Sequence, residues 1–257
     1  MFANREAKVL VTGGTRGIGR RLAERFFAAG ATVMVTGRDE TKLEQARCAL
    51  PGLRTFKSDI GNPSDRESLA RHVAHVMPDI SVIINNAGIQ RRVALADDHA
   101  PWEIRQQEID ILLAGPIHVT SLLLPLMLKS RRRGLVVNVT SGGAYIAQPF
   151  APTYAACKAA LHSYTMTLRH ALRHSLIHVT ELIPPAVATG LAGPGENHGA
   201  PVDAFADAVF PRIAAGIETD IGFGPTQSDA FIAGTATYRA LFETSAARFP
   251  VRGYMDE

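Results

Sequence analysis

Short apolar segments alternate along the chain with longer segments in which apolar residues recur at helical spacing. The short segments are KVLVT, ATVMVT, RTFKS, SVIIN, GLVVNVT and IHVTELI. Continuous Val, Ile and Leu runs are typical of strands buried on both faces of a parallel sheet, and the stretches between them are long enough for crossover helices. The pattern therefore predicts an α/β fold with a doubly wound parallel sheet and helices on both faces.

Two of the intervening segments are the longest helix candidates, at residues 101–130 and 152–174. Each has a proline in its first turn, and the first also contains Pro125, so a kink or a proline cap is expected in both. After Ile183 the chain is rich in proline and glycine as far as Pro201, and a further helical pattern covers residues 202–216. We expect a substrate-binding loop or lid over an active site at about residues 190–216.

Composition supports one soluble domain. The 257 residues are 46% hydrophobic and 20% charged, as in an ordinary globular protein, and no linker, repeat or low-complexity stretch divides them. We therefore expect a single domain over residues 1–257. The N-terminus leads into the first strand without a signal peptide, and no segment approaches the ~20 apolar residues of a membrane span. These features predict a cytoplasmic location and no membrane partner.

Charge and cysteine usage exclude two other classes of function. The net charge is +3, and the densest basic cluster, Arg131 to Arg133, follows a helical pattern, where the helix dipole favours cations. No nucleic-acid partner is expected from it. The two cysteines, Cys48 and Cys157, have no metal-ligand spacing, so we expect reduced thiols and no metal site.

A glycine-rich turn follows the first apolar run. It reads Thr12-Gly-Gly-Thr-Arg-Gly-Ile-Gly19 and opens the helical segment LAERFFAAG. Such a turn lets the backbone approach a pyrophosphate, while the helix N-terminus supplies N–H donors and a positive dipole end. The spacing TGxxxGxG differs from GxGxxG, and glycines in a strand-to-helix turn can also be purely structural. Phosphate binding and a structural turn both remain open at this point.

Tyr154 and Lys158 lie four residues apart in a helical pattern, so they share one helix face. Ser141 ends the preceding strand-like run GLVVNVTS. An adjacent ammonium group stabilises a phenolate, which would make Tyr154 an acid or base near neutral pH. A Tyr–Lys pair at this spacing is also common on solvated helices, so the pair alone does not decide between catalysis and a surface contact.

Taken together, these motifs resemble those of the classical short-chain dehydrogenase/reductase family. The glycine turn, the segment Asn85-Asn-Ala-Gly88 closing the fourth strand, Ser141 on the fifth strand and the YxxxK of Tyr154 occur in the family's order. The segments NNAGIQR, APTYAACKAALHSYTMTLR and PPAVAT are especially similar to the DltE-like oxidoreductase branch. The resemblance extends from the first strand to about Gly224 and implies a Rossmann-type domain.

The resemblance implies a ketoreductase-like oxidoreductase that transfers hydride between nicotinamide and a small carbonyl or alcohol substrate. Ser141 would hold the substrate oxygen, Tyr154 would exchange the hydroxyl proton, and Lys158 would grip the nicotinamide ribose and lower the pKa of Tyr154. Asp59 would meet the adenine. The residues implied to bind the cofactor are Gly13, Thr15, Arg16, Gly17, Ile18, Gly19, Arg38, Asp59, Ile60, Asn86, Ala87, Gly88, Tyr154, Lys158, Pro184, Ala186, Val187 and Thr189.

The second strand predicts that NADP(H) is preferred over NAD(H). Gly37 stands where folds that prefer NAD place an acidic residue for the ribose. Arg38 follows it and Arg16 lies in the glycine turn, and two guanidinium groups suit a 2′-phosphate. Asp39 could face the ribose instead, but an Asp before ETKLEQA is well suited to cap a helix, and we favour the cap.

One position departs from the family pattern. The family's catalytic Asn falls on Leu112, within IDILLAGP, and that Asn is understood to hold a water that links the lysine to solvent. Leucine cannot bind this water, and Asp110 points elsewhere on a regular helix unless Gly115-Pro116 kinks it. Slowed proton supply is one interpretation. The alternative is a relative that binds cofactor but performs non-redox chemistry or cofactor sensing.

The substrate itself cannot be identified from the sequence. Residues 89–93, 142–149 and 191–211 are expected to line its pocket with apolar groups.

Cys157 is interpreted as a packing residue, because it and its neighbour Lys158 point about 100° apart on the helix. As in the family, the long helices predict a homodimer or homotetramer.

Overall fold

The computed structural model describes residues 1–191, 193, 198–248 and 251–255. Its centre is a seven-stranded, wholly parallel sheet with the order β3-β2-β1-β4-β5-β6-β7. The strands are β1 (Lys8–Val11), β2 (Thr32–Gly37), β3 (Arg54–Lys57), β4 (Val82–Asn85), β5 (Gly134–Val139), β6 (Ile177–Ile183) and β7 (Asp220–Gly222). The order changes direction next to β1, which makes the sheet doubly wound, as predicted.

Helices cover both faces of the sheet. They are α1 (Gly17–Ala28), α2 (Glu40–Ala49), α3 (Pro63–Val76), α4 (Trp102–Ile109), α5 (Gly115–Ser130), α6 (Pro152–Ala171), α7 (Val202–Ala215) and α8 (Asp229–Arg248). Alternation along β1 divides the core into two layers: Val9 and Val11 pack with Phe26 of α1, whereas Leu10 packs with Leu123 of α5. Both faces of the central strands are therefore buried, which explains their continuous apolar runs, whereas the edge strand β3 has no buried residue.

The C-terminal part of the fold was not predicted. Strand β7 has only three residues, Asp220–Gly222, which is too short to form an apolar run. Helix α8 contains no buried residue, so it lacks the apolar stripe by which a helix is recognised. Its first turns nevertheless contact the segment that follows β5, because the ring of Phe231 packs edge-on against Tyr145 at 5.0 Å.

The long helix expected at residues 101–130 is divided. A π-helical segment, Asp110–Ala114, lies between α4 and α5, and the N–H of Gly115 donates to the carbonyl of Asp110. Pro116 has no N–H to donate to Leu112, which favours a change of helical spacing here. The whole run, Trp102–Ser130, is long and apolar enough to cross a membrane, contrary to our expectation. Half of its most apolar stretch is buried, as in a core helix of a globular protein.

The region expected to form a lid contains two kinds of structure. Helix α7 packs its buried side, including Phe205 and Val209, into the core, and Phe210 contacts Phe26 of α1 at 5.0 Å. A core helix is not a lid, so the lid prediction can apply only to residues 190–201. Of these, residues 192 and 194–197 lie outside the described residues. At Ala200 the loop forms an isolated parallel β-bridge with Val187.

Candidate active site

One cavity of about 640 Å³ lies at the carboxyl ends of the parallel strands. Ligands of doubly wound folds bind at this edge, where the strand order reverses. All the predicted catalytic and cofactor residues except Gly19 line the cavity. Gly19 is buried beside it, and a Cβ on Gly19 would lie 2.3 Å from Nδ2 of Asn86. Its lack of a side chain therefore allows α1 to start close to the loop after β4.

The glycine turn is fastened to the segment that follows β4. The Thr12 hydroxyl accepts hydrogen bonds from the backbone N–H groups of Asn86 (3.0 Å) and Ala87 (3.1 Å). The Asn86 amide donates back to the carbonyls of Thr12 and Gly13, both at 3.0 Å. Gly13 has a φ of 65°, and a Cβ on it would lie 2.8 Å from Cα of Ala87. Only glycine fits this position without a shift of the backbone.

The start of α1 is suited to an anion. Its N-cap residue, Arg16, makes no side-chain cap hydrogen bond to the described residues, and the first turn contains no acidic residue. The first backbone N–H groups of the helix therefore face the cavity at the positive end of the helix dipole. These groups fit the pyrophosphate of a dinucleotide.

Three cationic side chains line the cavity near the end of β2: Arg16, Arg38 and Lys42. Nη1 of Arg38 lies 4.0 Å from Oδ2 of Asp59, and both side chains are more than one third exposed. Asp39 accepts a hydrogen bond from the backbone N–H of Lys42 at 3.1 Å and pairs with Nζ of Lys42 at 3.1 Å. Asp39 is thus the N-cap of α2, the role that we favoured.

Ser141, Tyr154 and Lys158 converge at the other end of the cavity. Ser141 follows β5, while Tyr154 and Lys158 lie one turn apart on α6, and all three side chains are buried. The Ser141 hydroxyl lies near Tyr154, whose pKa it lowers, and it accepts a hydrogen bond from the N–H of Gly143 at 3.1 Å. Nζ of Lys158 donates to the carbonyl of Val139 at 2.7 Å and lies 5.7 Å from the centre of the Tyr154 ring. The three groups therefore surround one point at the carboxyl end of β5.

Burial controls the protonation of these groups. It raises the pKa of Tyr154, an effect that the Ser141 hydrogen bond opposes. It also lowers the pKa of Lys158 to about 8. We expected Lys158 to lower the pKa of Tyr154, but burial shifts this pKa upward, and Lys158 donates its hydrogen bond to Val139. Tyr154 is consequently a protonated phenol at neutral pH, ready to donate.

Leu112 is fully buried in the π-helical segment, where it forms an apolar cluster with Ala151, Tyr154 and Cys157. Burial also raises the pKa of Cys157 to about 11, so this residue is an inert thiol that fills space. Asp110 accepts a hydrogen bond from the Gln106 amide at 3.0 Å. The carboxylate thus does not replace the missing Asn beside the triad.

The remaining wall combines apolar and polar groups from all three predicted segments. The N–H of Val93, in the first segment, donates to the carbonyl of Phe150, the residue after the second segment, at 3.0 Å. The lining residues are Ile89, Gln90, Gly142, Gln148, Phe150, Leu191 and His198. The two amides and the imidazole make this wall more polar than we expected. No group of His, Cys, Asp or Glu within the described ranges could hold a metal ion.

Sequence reasoning missed two residues that complete the site. Lys42 lines the cavity from the first turn of α2, and its position after the Asp39 cap is the signal that could have suggested it. Val139 acts through its backbone carbonyl, so its side chain carries no sequence signal for this role.

The sequence is similar to one family model and to several known oxidoreductases. The family model described as short chain dehydrogenase matches residues 7–198. The uncharacterized oxidoreductase DltE of Bacillus subtilis (strain 168) is 38% identical over 183 residues, which are 71% of this chain and 72% of that protein. The dehydrogenase/reductase SDR family member 7B of Bos taurus is 34% identical over 198 residues, which cover 73% of this chain and 60% of the bovine protein.

Among solved structures, a short-chain dehydrogenase from Streptomyces avermitilis is similar over almost the whole fold. The match has a TM-score of 0.78 and 26% identity, and it covers 95% of this chain and 98% of the other. The two chains thus share the same overall fold.

Proposed function

Because this chain belongs to the short-chain dehydrogenase family, we propose that it is an NADP(H)-dependent oxidoreductase with ketoreductase-like activity. Its substrate would be a small carbonyl compound or the corresponding alcohol. The observation that carries this proposal is the convergence of Ser141, Tyr154 and Lys158 at one end of a cavity whose other end holds Arg16 and Arg38.

When bound, the nicotinamide supplies or accepts the hydride. In the reducing direction, the Ser141 hydroxyl donates a hydrogen bond to the substrate carbonyl oxygen and fixes its position. Tyr154, kept protonated by burial, transfers its proton to that oxygen as the carbonyl carbon becomes tetrahedral. The positive charge of Lys158 stabilises the phenolate that Tyr154 becomes. In the oxidising direction, Tyr154 removes the proton from the alcohol.

The proposed preference for NADP(H) rests on the cationic end of the cavity. Arg38 and Arg16 carry exposed guanidinium groups there, with Lys42 beside them. The Asp39 carboxylate is engaged by Lys42 through both the helix cap and the ion pair. It is therefore a poor acceptor for a ribose hydroxyl, whereas a 2′-phosphate would find charge-assisted donors.

A second candidate function is cofactor binding without redox turnover, as in a sensor or a non-redox enzyme. It is favoured by one observation, the fully buried Leu112 that packs in one cluster with Tyr154. This function would leave the dinucleotide residues intact while depriving Tyr154 of a polar route for its proton.

The two functions are separated by an NADPH-consumption screen over a panel of ketones, with Tyr154→Phe as the control. The proposed oxidoreductase consumes NADPH with at least one ketone, and the control loses this activity. NADPH binding without consumption across the panel would favour the second function. The cytoplasmic location and the homodimer or homotetramer stay predictions.

A further inference from the structure

The segment that follows β4 has two parts, which are anchored separately. The backbone N–H groups of Asn86 and Ala87 donate to Thr12 and fix the part that faces the dinucleotide. Residues 88–90 also line the cavity, but none of the hydrogen bonds described for the chain involves them. The position of this second part is therefore set by the residues that come directly after it.

Four charged side chains anchor the chain after Gln90. The backbone N–H of Arg91 donates to Oε1 of Glu108 at 3.1 Å, and Nη1 of Arg91 lies 3.8 Å from Oε2 of the same carboxylate. Nη2 of Arg91 lies 2.9 Å from Oδ1 of Asp98, whose Oδ2 lies 3.0 Å from Nε of Arg105. We call Arg91, Asp98, Arg105 and Glu108 the loop clamp.

The loop clamp is buried, and its charges balance. The side chains of Asp98 and Glu108 are only 4% and 2% exposed, and two guanidinium groups compensate the two carboxylates. Charges are retained in a protein interior only where partners replace their lost hydration. Arg105 also donates to the carbonyls of Asp98 and Ala100, both at 2.7 Å. The loop from Arg91 to Ala100 is therefore held on α4, which carries Arg105 and Glu108.

Gln90 presents an unused amide to the cavity. The residue is half-buried, and neither amide atom is enclosed in the protein or hydrogen-bonded within the part of the chain that the structure describes. Gln148, the other amide of this wall, differs because its Oε1 is buried. Its Cδ packs so closely on Gly143 that a Cβ there would lie 2.8 Å away. Gln90 is thus the amide that can both donate to a ligand and accept from it.

Gln90 lies at the catalytic end of the cavity. Two residues before it, Gly88 lies against Leu112, because a Cβ on Gly88 would be 3.3 Å from Cδ2 of Leu112. Leu112 in turn packs in one cluster with Tyr154. Two extended residues span at most about 7 Å, so Gln90 is close to the place proposed for the substrate carbonyl. Among the described residues of this wall there is no Asp, Glu, Lys or Arg.

We propose that Gln90 is a specificity-determining residue of the reaction proposed above and that the loop clamp holds it in place. The substrate is an uncharged ketone that carries a second hydrogen-bonding group, a hydroxyl near the carbonyl. The amide of Gln90 binds this hydroxyl while Ser141 and Tyr154 bind the carbonyl oxygen. Two contacts on a fixed wall orient a small ketone better than one contact does. This inference rests on the proposed function.

Two matched pairs of ketones test Gln90. Hydroxyacetone is compared with butanone, and 4-hydroxy-2-butanone with 2-pentanone, so that a hydroxyl replaces a methyl group in each pair. In the parent, kcat/KM for one of the hydroxyketones should exceed that of its partner about tenfold, the upper range for one neutral hydrogen bond. Gln90→Met keeps the length of the side chain and removes the amide. Its ratio should fall to about one, with NADPH binding unchanged.

Gln45→Met is the matched control, because Gln45 is exposed on α2 and does not line the cavity. This variant should keep the parent's preference for the hydroxyketone. A parent without a preference in either pair, or a Gln90→Met variant that keeps the preference, overturns the proposal.

A binding measurement keeps the test independent of turnover. If the screen finds no NADPH consumption with any ketone, saturation-transfer NMR on the NADPH-loaded protein compares the same four ketones. Tighter binding of a hydroxyketone that is lost in Gln90→Met supports the role of Gln90 even though the proposed reaction has failed. Equal binding within both pairs, or a preference that survives in Gln90→Met, overturns that role.

The loop clamp is tested at Glu108. Glu108→Leu removes the acceptor for the N–H of Arg91, so exchange of this amide hydrogen should accelerate at least about tenfold and the hydroxyketone preference should disappear. Glu108→Gln keeps a neutral acceptor, so exchange should accelerate only about fivefold, with a smaller loss of preference. Butanone and 2-pentanone should react as in the parent.

A purely structural role for the clamp has a different result. It would lower kcat/KM equally for the hydroxyketones and for the plain ketones, and this outcome contradicts the proposal. If Glu108→Leu does not fold, Glu108→Gln still decides the question, because parent-like exchange at Arg91 together with a parent-like preference would also contradict it.

Discussion

The ammonium nitrogen of Lys158 lies 2.7 Å from the carbonyl oxygen of Val139, so a side chain of helix α6 that we predict to be catalytic is hydrogen-bonded to the end of strand β5. Ser141 is only two residues further along the same strand end, and Tyr154 lies one turn before Lys158 on the helix. This hydrogen bond joins the two elements that supply the predicted triad, together with the bond from Nδ2 of Asn138 on β5 to the Thr165 hydroxyl on α6 at 2.9 Å. The hydrogen bond to Val139 thus fixes the position of the Lys158 side chain, which is buried in the protein.

The buried lysine predicts a specific dependence of stability on pH. Its pKa is about 8 in the folded protein, compared with an ordinary value of 10.5, so between these pH values the unfolded chain binds more protons. The free energy of unfolding due to Lys158 should thus rise by about 3 kcal/mol as the pH increases from about 8 to 10.5. Denaturant unfolding of Lys158→Met should lack this rise.

Buried tyrosines and Cys157 have raised pKa values and contribute the opposite slope at alkaline pH. They are present in both proteins, so the difference between the parent and Lys158→Met isolates the lysine. Equal pH dependence in the two proteins would show that Lys158 titrates normally.

The preference for NADP(H) is tested by removing a guanidinium group. We expect Arg38→Ala to weaken NADPH binding about tenfold to a hundredfold, since hydrogen bonds to charged groups contribute about 1.5–3 kcal/mol, and to leave NADH binding nearly unchanged. Fluorescence titrations with both nucleotides measure this. Arg47→Ala is the control. Arg47 is exposed on α2, the helix that follows Arg38, but it pairs with Glu44 and does not line the cavity. Equal losses for NADPH and NADH would refute a 2′-phosphate contact.

The glycine turn should not tolerate a side chain at Gly13. Gly13→Ala places a methyl group 2.8 Å from the Ala87 backbone at a φ of 65°, a region that costs an L-residue about 1–2 kcal/mol. Dinucleotide binding should fall at least tenfold by calorimetry. Gly234→Ala is the matched control, because a Cβ there has no neighbour within 4 Å, and it should bind the dinucleotide like the parent. Normal binding by Gly13→Ala would remove this turn from the site.

Leu112 offers a test of proton supply. We expect Leu112→Asn to raise turnover of a suitable ketone per folded molecule, while burial of the amide lowers the free energy of unfolding by about 3 kcal/mol. Leu112→Met conserves volume and should change stability by less than about 1.5 kcal/mol. Steady-state kinetics at a temperature where both variants are folded separates the two effects. Unchanged or lower turnover in Leu112→Asn would count against a missing water contact.

Local patterns explain why much of the fold could be predicted. The five strands β1, β2, β4, β5 and β6 are largely buried on both faces, and the N-cap role of Asp39 depends only on the four residues from Asp39 to Lys42. The pairing of Tyr154 with Lys158 follows from helical spacing alone. In each case the physical cause lies within a few residues of the signal, which is why sequence reasoning identified it.

Long-range contacts explain what was missed. The contact between His162 and Glu181 could not be predicted from the sequence, because the two residues lie 19 positions apart on a helix and a strand. The raised pKa of Tyr154 depends on how deeply the side chain is buried, a property that the YxxxK spacing does not contain.

The most direct test of the proposed oxidoreductase uses NADPH that carries deuterium at C4 of the nicotinamide ring, incubated with the ketone that the screen identifies. We predict that mass spectrometry finds one deuterium at the carbinol carbon of the product alcohol. Tyr154→Phe should bind the nucleotide as tightly but form this product at least about a hundredfold more slowly, as expected for loss of an acid catalyst. Tight NADPH binding with no deuterated alcohol from any ketone of the panel would contradict the account.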